Sequence, residues 1–436
     1  MKRVSPRALL VAAGFALSTA LGVPALLRAI VYLVRIPVAH DFAVFYLAAL
    51  AGARAPASLY DPGTVNRLAA GAGIVDYDTN NYPPIVALLF RPFTLLPFGT
   101  SKLVWLGLNI VLVGALLAWA WRRLRPRGWG AGGFAVWFAL LLPATAENLI
   151  LGQLSPIVGA LLAIAVLSAA RRQRRWDVLG GSALGLAAAV KLWPILLSGY
   201  FLLRRRYALA ALSLVVCAML TAAGTLALGR AATSEYFLGK MPNAGVENAN
   251  TFRAGNQSIW GVAQRLYRGG VGSYARLSES NGRDTDIAPI VRAEWLYWFT
   301  TIGFCATVAA ALLWLFASIP ADNLVAESHG FWAGVIAIVA VLPFSWTHYA
   351  FFLLFPLISL LADEGQPLAS VYGAGVLCLL LTLVHRFYAW LPPSALLLNF
   401  VFVADAVLLY RVVRVLSDAA GRSEIATGVD KSRQRR

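Results

Sequence analysis

The chain has 436 residues, 59% of them hydrophobic and 13% charged, with a mean hydropathy of +0.70. A soluble domain carries about a quarter charged residues, so this composition excludes one and points to an integral membrane protein. The formal net charge of +17 does not argue for nucleic acid, because the basic residues sit in short clusters between apolar runs, as the positive-inside rule requires.

Lys2, Arg3 and Arg7 precede an apolar run to about residue 27, with no small-x-small cleavage site before Arg28. This reads as an uncleaved first span with a cytoplasmic N-terminus. The span delivers His40 and Asp41 to the outer face, where residues 36–82 form a first outer loop containing "SLYDPGTVNR" and "DYDTNNYPP". Residues 82–97 are apolar but interrupted by Pro83, Pro84, Pro92 and Pro97. A span at about 132–147 ends in Glu147 and Asn148, followed by "LGQLSP" with Gln153. The run 185–203 has Lys191 and Pro194 in its middle. Treating 82–97 and 185–203 as hairpins or re-entrant pieces keeps "WRRLRPRG", "RRQRRWD", "RRRY" and the tail "DKSRQRR" on the cytoplasmic side. Broken helices in a bilayer need protein or water to satisfy the freed backbone, so two of them suggest a cavity.

A span at about 207–229 leads to a second outer loop, roughly 230–292, which holds Arg253 and "GNQS" (Asn256, Gln257, Ser258). Further spans are expected at about 293–317, 331–346, 347–362, 369–389 and 394–416, before a cytoplasmic tail from about 417. The expected fold is all-α: a single polytopic membrane domain of about 10–12 membrane segments and two outer loops. No heptads or internal repeats are visible. Cys217, Cys305 and Cys378 all lie in apolar runs and read as small buried hydrophobes.

Ionisable residues at membrane depth are functional candidates, and here they gather at one face. Each also has a plainer reading. Asp41, with His40, could cap the helix beginning at about 42. Lys191 could snorkel to the interface. Asn148 and Gln153 could be interhelical glue. Trp346, Tyr349, Tyr388 and Trp390 could be aromatic-belt anchors, and His385 with Arg386 could simply end a span. The "DYD" of residues 76–78 has the spacing of a metal-holding carboxylate pair but lies on the outer side, away from any cytoplasmic nucleotide-sugar.

Six motifs occur in order: "HDFAVFYLAAL…SLYD", "NNYPPIVALLF…LLP", "LGQLSPIVGALL", "GLAAAVKLWPILL", "GNQSIWGVAQRL" and "SWTHYAFFLLFPL". Over roughly residues 38–360 the chain resembles the polytopic glycosyltransferases of family 87, GT-C-type enzymes that include polyprenol-phosphate-mannose-dependent α-mannosyltransferases. The resemblance implies a GT-C-like helical bundle in the bacterial inner membrane. It also implies a polyprenyl-phosphate sugar donor and transfer of a hexosyl, in particular mannosyl, unit to a hydroxyl of a glycan or glycolipid at the outer face. Asp41 matches the acidic residue of the first outer loop, the general base in GT-C enzymes. His40, Tyr82, Asn148, Gln153, Lys191, Arg253, Asn256, Gln257, Ser258 and His348 are the residues expected to line the substrates. Lys191, Arg253 and His348 are the cations available to a leaving phosphate. No metal or cofactor is expected. The competing reading is a transporter or flippase of lipid-linked sugars, which also uses broken helices and intramembrane charge.

Overall fold

The computed structural model describes residues 6–35, 40–75, 77–78, 80–243, 255–274, 283–319, 323–386, 396 and 399–433. The described residues form a bundle of helices, all-α apart from one antiparallel strand pair in the second loop, β1 (Gly270–Tyr274) with β2 (Arg283–Ile287).

After α1 (Pro6–Arg35) comes α2 (His40–Arg54), which is buried without a break from Phe42 to Ala51. Within the stretch expected to be the first outer loop, α2 is thus a buried helix, and α3 (Pro62–Gly71) follows it. Asp61 caps α3 by accepting from the Thr64 amide at 2.8 Å. The four prolines of 82–97 divide that stretch as expected. Pro84 opens the short α4 (Pro84–Leu89), Pro92 sits in the 3₁₀ turn Arg91–Leu95, and Pro97 precedes α5 (Phe98–Leu124). A proline at the start of a helix loses an amide that would have had no partner there anyway.

The span expected at 132–147 is instead two helices, α6 (Trp129–Leu141) and α7 (Pro143–Leu151), bent by 51°. Pro143 cannot donate to the α6 ladder and so begins a new helix. α8 (Ser155–Ala169) and α9 (Arg174–Val190) follow. The chain then breaks at Lys191 and Leu192, makes a 3₁₀ turn at Trp193–Leu196 and returns as α10 (Leu197–Leu203). This is the hairpin expected for 185–203. α9 packs closely on α11 (Tyr207–Leu228) because Gly181 and Gly185 lack side chains. A Cβ on Gly185 would lie 2.6 Å from the Ser213 carbonyl, and one on Gly181 would lie 2.8 Å from that of Leu209. Two glycines four apart thus set the crossing distance, the small-residue device of membrane helix pairs.

Beyond α12 (Arg230–Ser234) lie α13 (Ile259–Ala263), α14 (Glu294–Ser318), α15 (Leu324–Val341), α16 (Leu354–Ala362), α17 (Leu368–Arg386) and α18 (Phe400–Arg433). The full span expected at 347–362 is a 3₁₀ segment, Thr347–Leu353, running into the short α16. The tail expected from 417 continues α18 to Arg433. Among the described residues six helices are long and apolar enough to cross a bilayer, seven counting the bent pair, with three shorter apolar helices besides.

Three of the basic clusters, those of Arg127, Arg172 and Arg204–Arg206, meet at one end of the bundle, and three of their arginines cap neighbouring helices. Arg206 donates to the Ala169 carbonyl at the end of α8 (2.8 Å) and to Asp177 (2.7 Å). Arg204 donates to the Ile319 carbonyl beyond α14 (2.6 Å). Arg127 donates to the carbonyls of Leu361, Glu364 and Gln366 around the end of α16. The last carbonyls of a helix lack intrahelical donors, so a guanidinium there satisfies both hydrogen bonding and dipole. Arg172 beside Glu327 (3.9 Å) and His329 bonded to Asp363 (3.1 Å) close the belt.

Candidate active site

At the other end, α2 presents Asp41 in its first turn. The helix begins at His40, so Asp41 lies inside it, and its Oδ2 accepts from Gln153 Nε2 (2.5 Å). That oxygen therefore answers a side chain 112 residues away and not the start of its own helix. Gln153 is presented by a left-handed turn. α7 ends on Gly152 at φ 71°, whose carbonyl accepts from Trp105 Nε1 at 2.8 Å. A Cβ on Gly152 would fall 2.8 Å from Cβ of Phe42, the neighbour of Asp41, so only glycine fits both conformation and space. The Gln153 side-chain carbonyl accepts from the Tyr82 hydroxyl at 3.3 Å. Tyr82 is held by its backbone, its amide donating to Asn80 Oδ1 (3.1 Å) and its carbonyl accepting from the Tyr60 hydroxyl (2.7 Å).

Lys191 occupies the break between α9 and the turn before α10. It is 7% exposed, so the snorkelling alternative does not describe it. Its Nζ donates to Ser155 Oγ at 3.4 Å and lies 4.1 Å from the centroid of Tyr349. Tyr349, 4% exposed, is a floor under this ammonium and not an interfacial anchor. Among the described residues no carboxylate forms an ion pair with Lys191, although Asp41 is near enough for each to feel the other's charge.

His348 and Asn148 join from the 3₁₀ segment and α7. Asn148 Nδ2 donates to the His348 carbonyl (2.8 Å), and Thr347 donates to Glu147 Oε1 (2.6 Å). His348 Nε2 and Asn148 Oδ1 are buried and have no hydrogen-bond partner among the described residues. Buried polar atoms are nearly always paired, so these two are available to a polar ligand, as are other buried atoms of the bundle such as Asn109 Oδ1 and Thr145 Oγ1.

Asp41 belongs to α2, which is not one of the helices long enough to span. Desolvation raises its pKa to about 6, against the lowering effects of His40, the Gln153 hydrogen bond and Lys191. His40 Nε2 also stands 3.8 Å from Asp78 Oδ2. Asp76, the other half of the "DYD" pair, lies outside the described residues, as do Arg253, Tyr388 and Trp390.

The "GNQS" residues are placed elsewhere. Asn256 Oδ1 accepts from the amides of Ser258 and Ser345 (3.2 and 3.0 Å), and its Nδ2 donates to the Pro343 carbonyl. Gln257 accepts from the Phe402 amide at 3.2 Å, and Ser258 caps α13. Arg265, fully buried, adds a bond to the Asn256 carbonyl (2.8 Å). These groups brace the turn before Thr347 and so support His348 from behind. Asp41, Gln153, Tyr82, Lys191, Asn148 and His348 form one cluster, and Asn256, Gln257 and Ser258 form its scaffold. Tyr60, Gly152, Ser155 and the buried place of Tyr349 were not singled out from the sequence. Only the Gly152 position, a glycine closing a short helix, carried a local signal.

A cluster of this kind pairs a carboxylate of elevated proton affinity with a buried ammonium and unpaired neutral polar atoms. It can take a proton from a hydroxyl while holding an anionic group. The chain is 30% identical to the polyprenol-phosphate-mannose-dependent alpha-(1-2)-phosphatidylinositol pentamannoside mannosyltransferase of Mycolicibacterium smegmatis, over 68% of this chain and 63% of that protein. It is 29% identical to the protein of the same description from Mycobacterium tuberculosis, over 78% and 72%. A 150-residue stretch is 34% identical to the polyprenol-phosphate-mannose-dependent alpha-(1-2)-phosphatidylinositol mannoside mannosyltransferase of Mycobacterium tuberculosis. The match thus spans just under two thirds of the first of these relatives. No solved structure matches the chain significantly. The model of Glycosyltransferase family 87 matches residues 80–328, more than half of the sequence and most of the cluster just described, and the chain belongs to that family.

Proposed function

We propose that the protein transfers a mannosyl unit from a polyprenyl-phosphate-mannose donor to a hydroxyl of a glycolipid acceptor, at the extracytoplasmic face of a bacterial plasma membrane. Asp41 takes the proton of the acceptor hydroxyl. The acceptor oxygen bonds to the anomeric carbon as the bond from that carbon to the phosphate oxygen breaks, with inversion. Polyprenyl phosphate leaves with the bonding electrons, its developing charge met by the Lys191 ammonium and by His348 in the tautomer that carries a proton on Nε2. Arg253 is a further candidate cation in the second loop. The names of the mycobacterial relatives support mannose as the sugar and a phosphatidylinositol mannoside class of acceptor.

The observation that carries this reading is the location of Asp41 and Lys191 in one cluster, at the end of the bundle opposite the arginine belt. Arginine-rich ends face the cytoplasm, so the cluster should face outward, where no nucleotide-sugar is available. Gathering the polar groups at one end also favours a transferase over a carrier, whose site belongs near the midplane.

The test is transfer by the purified protein in detergent. Incubation with polyprenyl-phosphate-mannose and phosphatidylinositol mannosides should give a mannosylated lipid and free polyprenyl phosphate without any membrane gradient. Vectorial movement of the intact donor in proteoliposomes, with no product in detergent, would replace the enzyme by a flippase.

A further inference from the structure

Asp41 has two carboxylate oxygens, and the site treats them differently. Oδ2 is bonded to Gln153, whereas no hydrogen bond reaches Oδ1 from the described residues. Gln153 uses both ends of its amide, donating to Asp41 and accepting from Tyr82, so its orientation is fixed by protein groups on either side. Tyr82 is fixed in turn by Tyr60 and Asn80 through its backbone. Tyr60 stacks on Tyr236 of the second loop, ring centroids 6.0 Å apart, so the series runs from one outer loop into the other.

We infer that Gln153 and Tyr82 are positioning residues for the base: they hold Oδ2 and leave Oδ1 as the oxygen that accepts the acceptor's proton, with Tyr60 fixing the segment that carries Tyr82. The inference rests on Asp41 being the general base and departs from the expectation that Gln153 and Tyr82 bind substrate. The other groups facing Asp41 are His40 of the same helix, Asp78 of the loop before α4, Lys191 and Tyr349. None of these is removed by changing Gln153 or Tyr82.

The experiment compares Gln153→Ala, Tyr82→Phe and their double variant for kcat, the KM of both substrates, the pH–rate profile, and direct binding of polyprenyl-phosphate-mannose. Both single variants should lower kcat about tenfold or more, part of the roughly 10² to 10⁴ that a positioned base supplies, with donor binding unchanged. A carboxylate that loses a donated hydrogen bond holds its proton more tightly, so the acid limb in Gln153→Ala should move up by roughly one pH unit. Because the residues act in series, the double variant should be little worse than the worse single one. Weakened donor binding, an unmoved acid limb, additive losses or unchanged kcat would each overturn the inference. An active Asp41→Asn enzyme would instead remove the general-base reading itself. An inactive Asp41→Asn enzyme beside an unmoved Gln153→Ala would defeat only the positioning role.

Discussion

Single side chains make the first distinctions. Desolvation holds the Asp41 pKa at about 6, so the base is half protonated near that pH. Proton acceptance needs the ionised form, so activity should fall as pH drops through about 6, well above the range of an ordinary carboxylate. A profile flat down to pH 5 would detach Asp41 from the rate. Lys191→Met removes the ammonium and keeps an apolar stem beside Tyr349. Charge-assisted contacts to phosphate are strong, so the donor KM should rise roughly ten- to a hundredfold while folding and insertion survive. An unaltered donor KM would return Lys191 to a packing role. Both residues were conspicuous in the sequence because a charge in an apolar run has little reason to be there. Their partners were not, since the Asp41–Gln153 bond joins residues 112 apart and no local pattern announces such a contact.

At the scale of elements, proline and glycine carried most of what could be read. The broken stretches at 82–97 and 185–203 follow from Pro83, Pro84, Pro92, Pro97 and Pro194. The bend at Pro143 escaped notice because that proline sits inside a continuous apolar run. "GNQS" looked like a ligand-binding loop because polar composition does not distinguish groups that meet substrate from groups that answer backbone amides. Here they answer Ser345 and Phe402. Two glycines test this scale. Gly152→Ala must adopt φ 71° and press on Phe42, which should displace Gln153 and cost activity out of proportion to stability. Gly185→Leu forces α9 away from Ser213 and Val216, and overpacking of this kind costs about 1–3 kcal/mol or more. Reduced yield and thermal stability of the detergent-solubilised protein would register it. A Gly185→Leu protein as stable as the parent would contradict the close crossing of α9 and α11.

For the whole molecule, charge is segregated between the two ends of the bundle. The belt of Arg127, Arg172, Arg204 and Arg206 unites clusters that the sequence spreads over many turns, and it lies opposite Asp41 and Lys191. The class of fold was legible because hydropathy acts on composition alone. The number of full spans was not, because α9, α16 and the α6–α7 pair are too short or too bent to count as single crossings. Cysteine labelling of intact cells should find Ala57→Cys reactive from outside and Arg125→Cys protected. Labelling of Arg125→Cys from outside would invert the assignment of the site to the outer face. The central claim, that a carboxylate at this end drives sugar transfer from a lipid phosphate, is tested most directly by Asp41→Asn in the purified enzyme with polyprenyl-phosphate-mannose. Asparagine preserves shape but accepts no proton, so turnover should fall by roughly 10² or more with donor binding intact. Turnover within a few fold of the parent protein would contradict it.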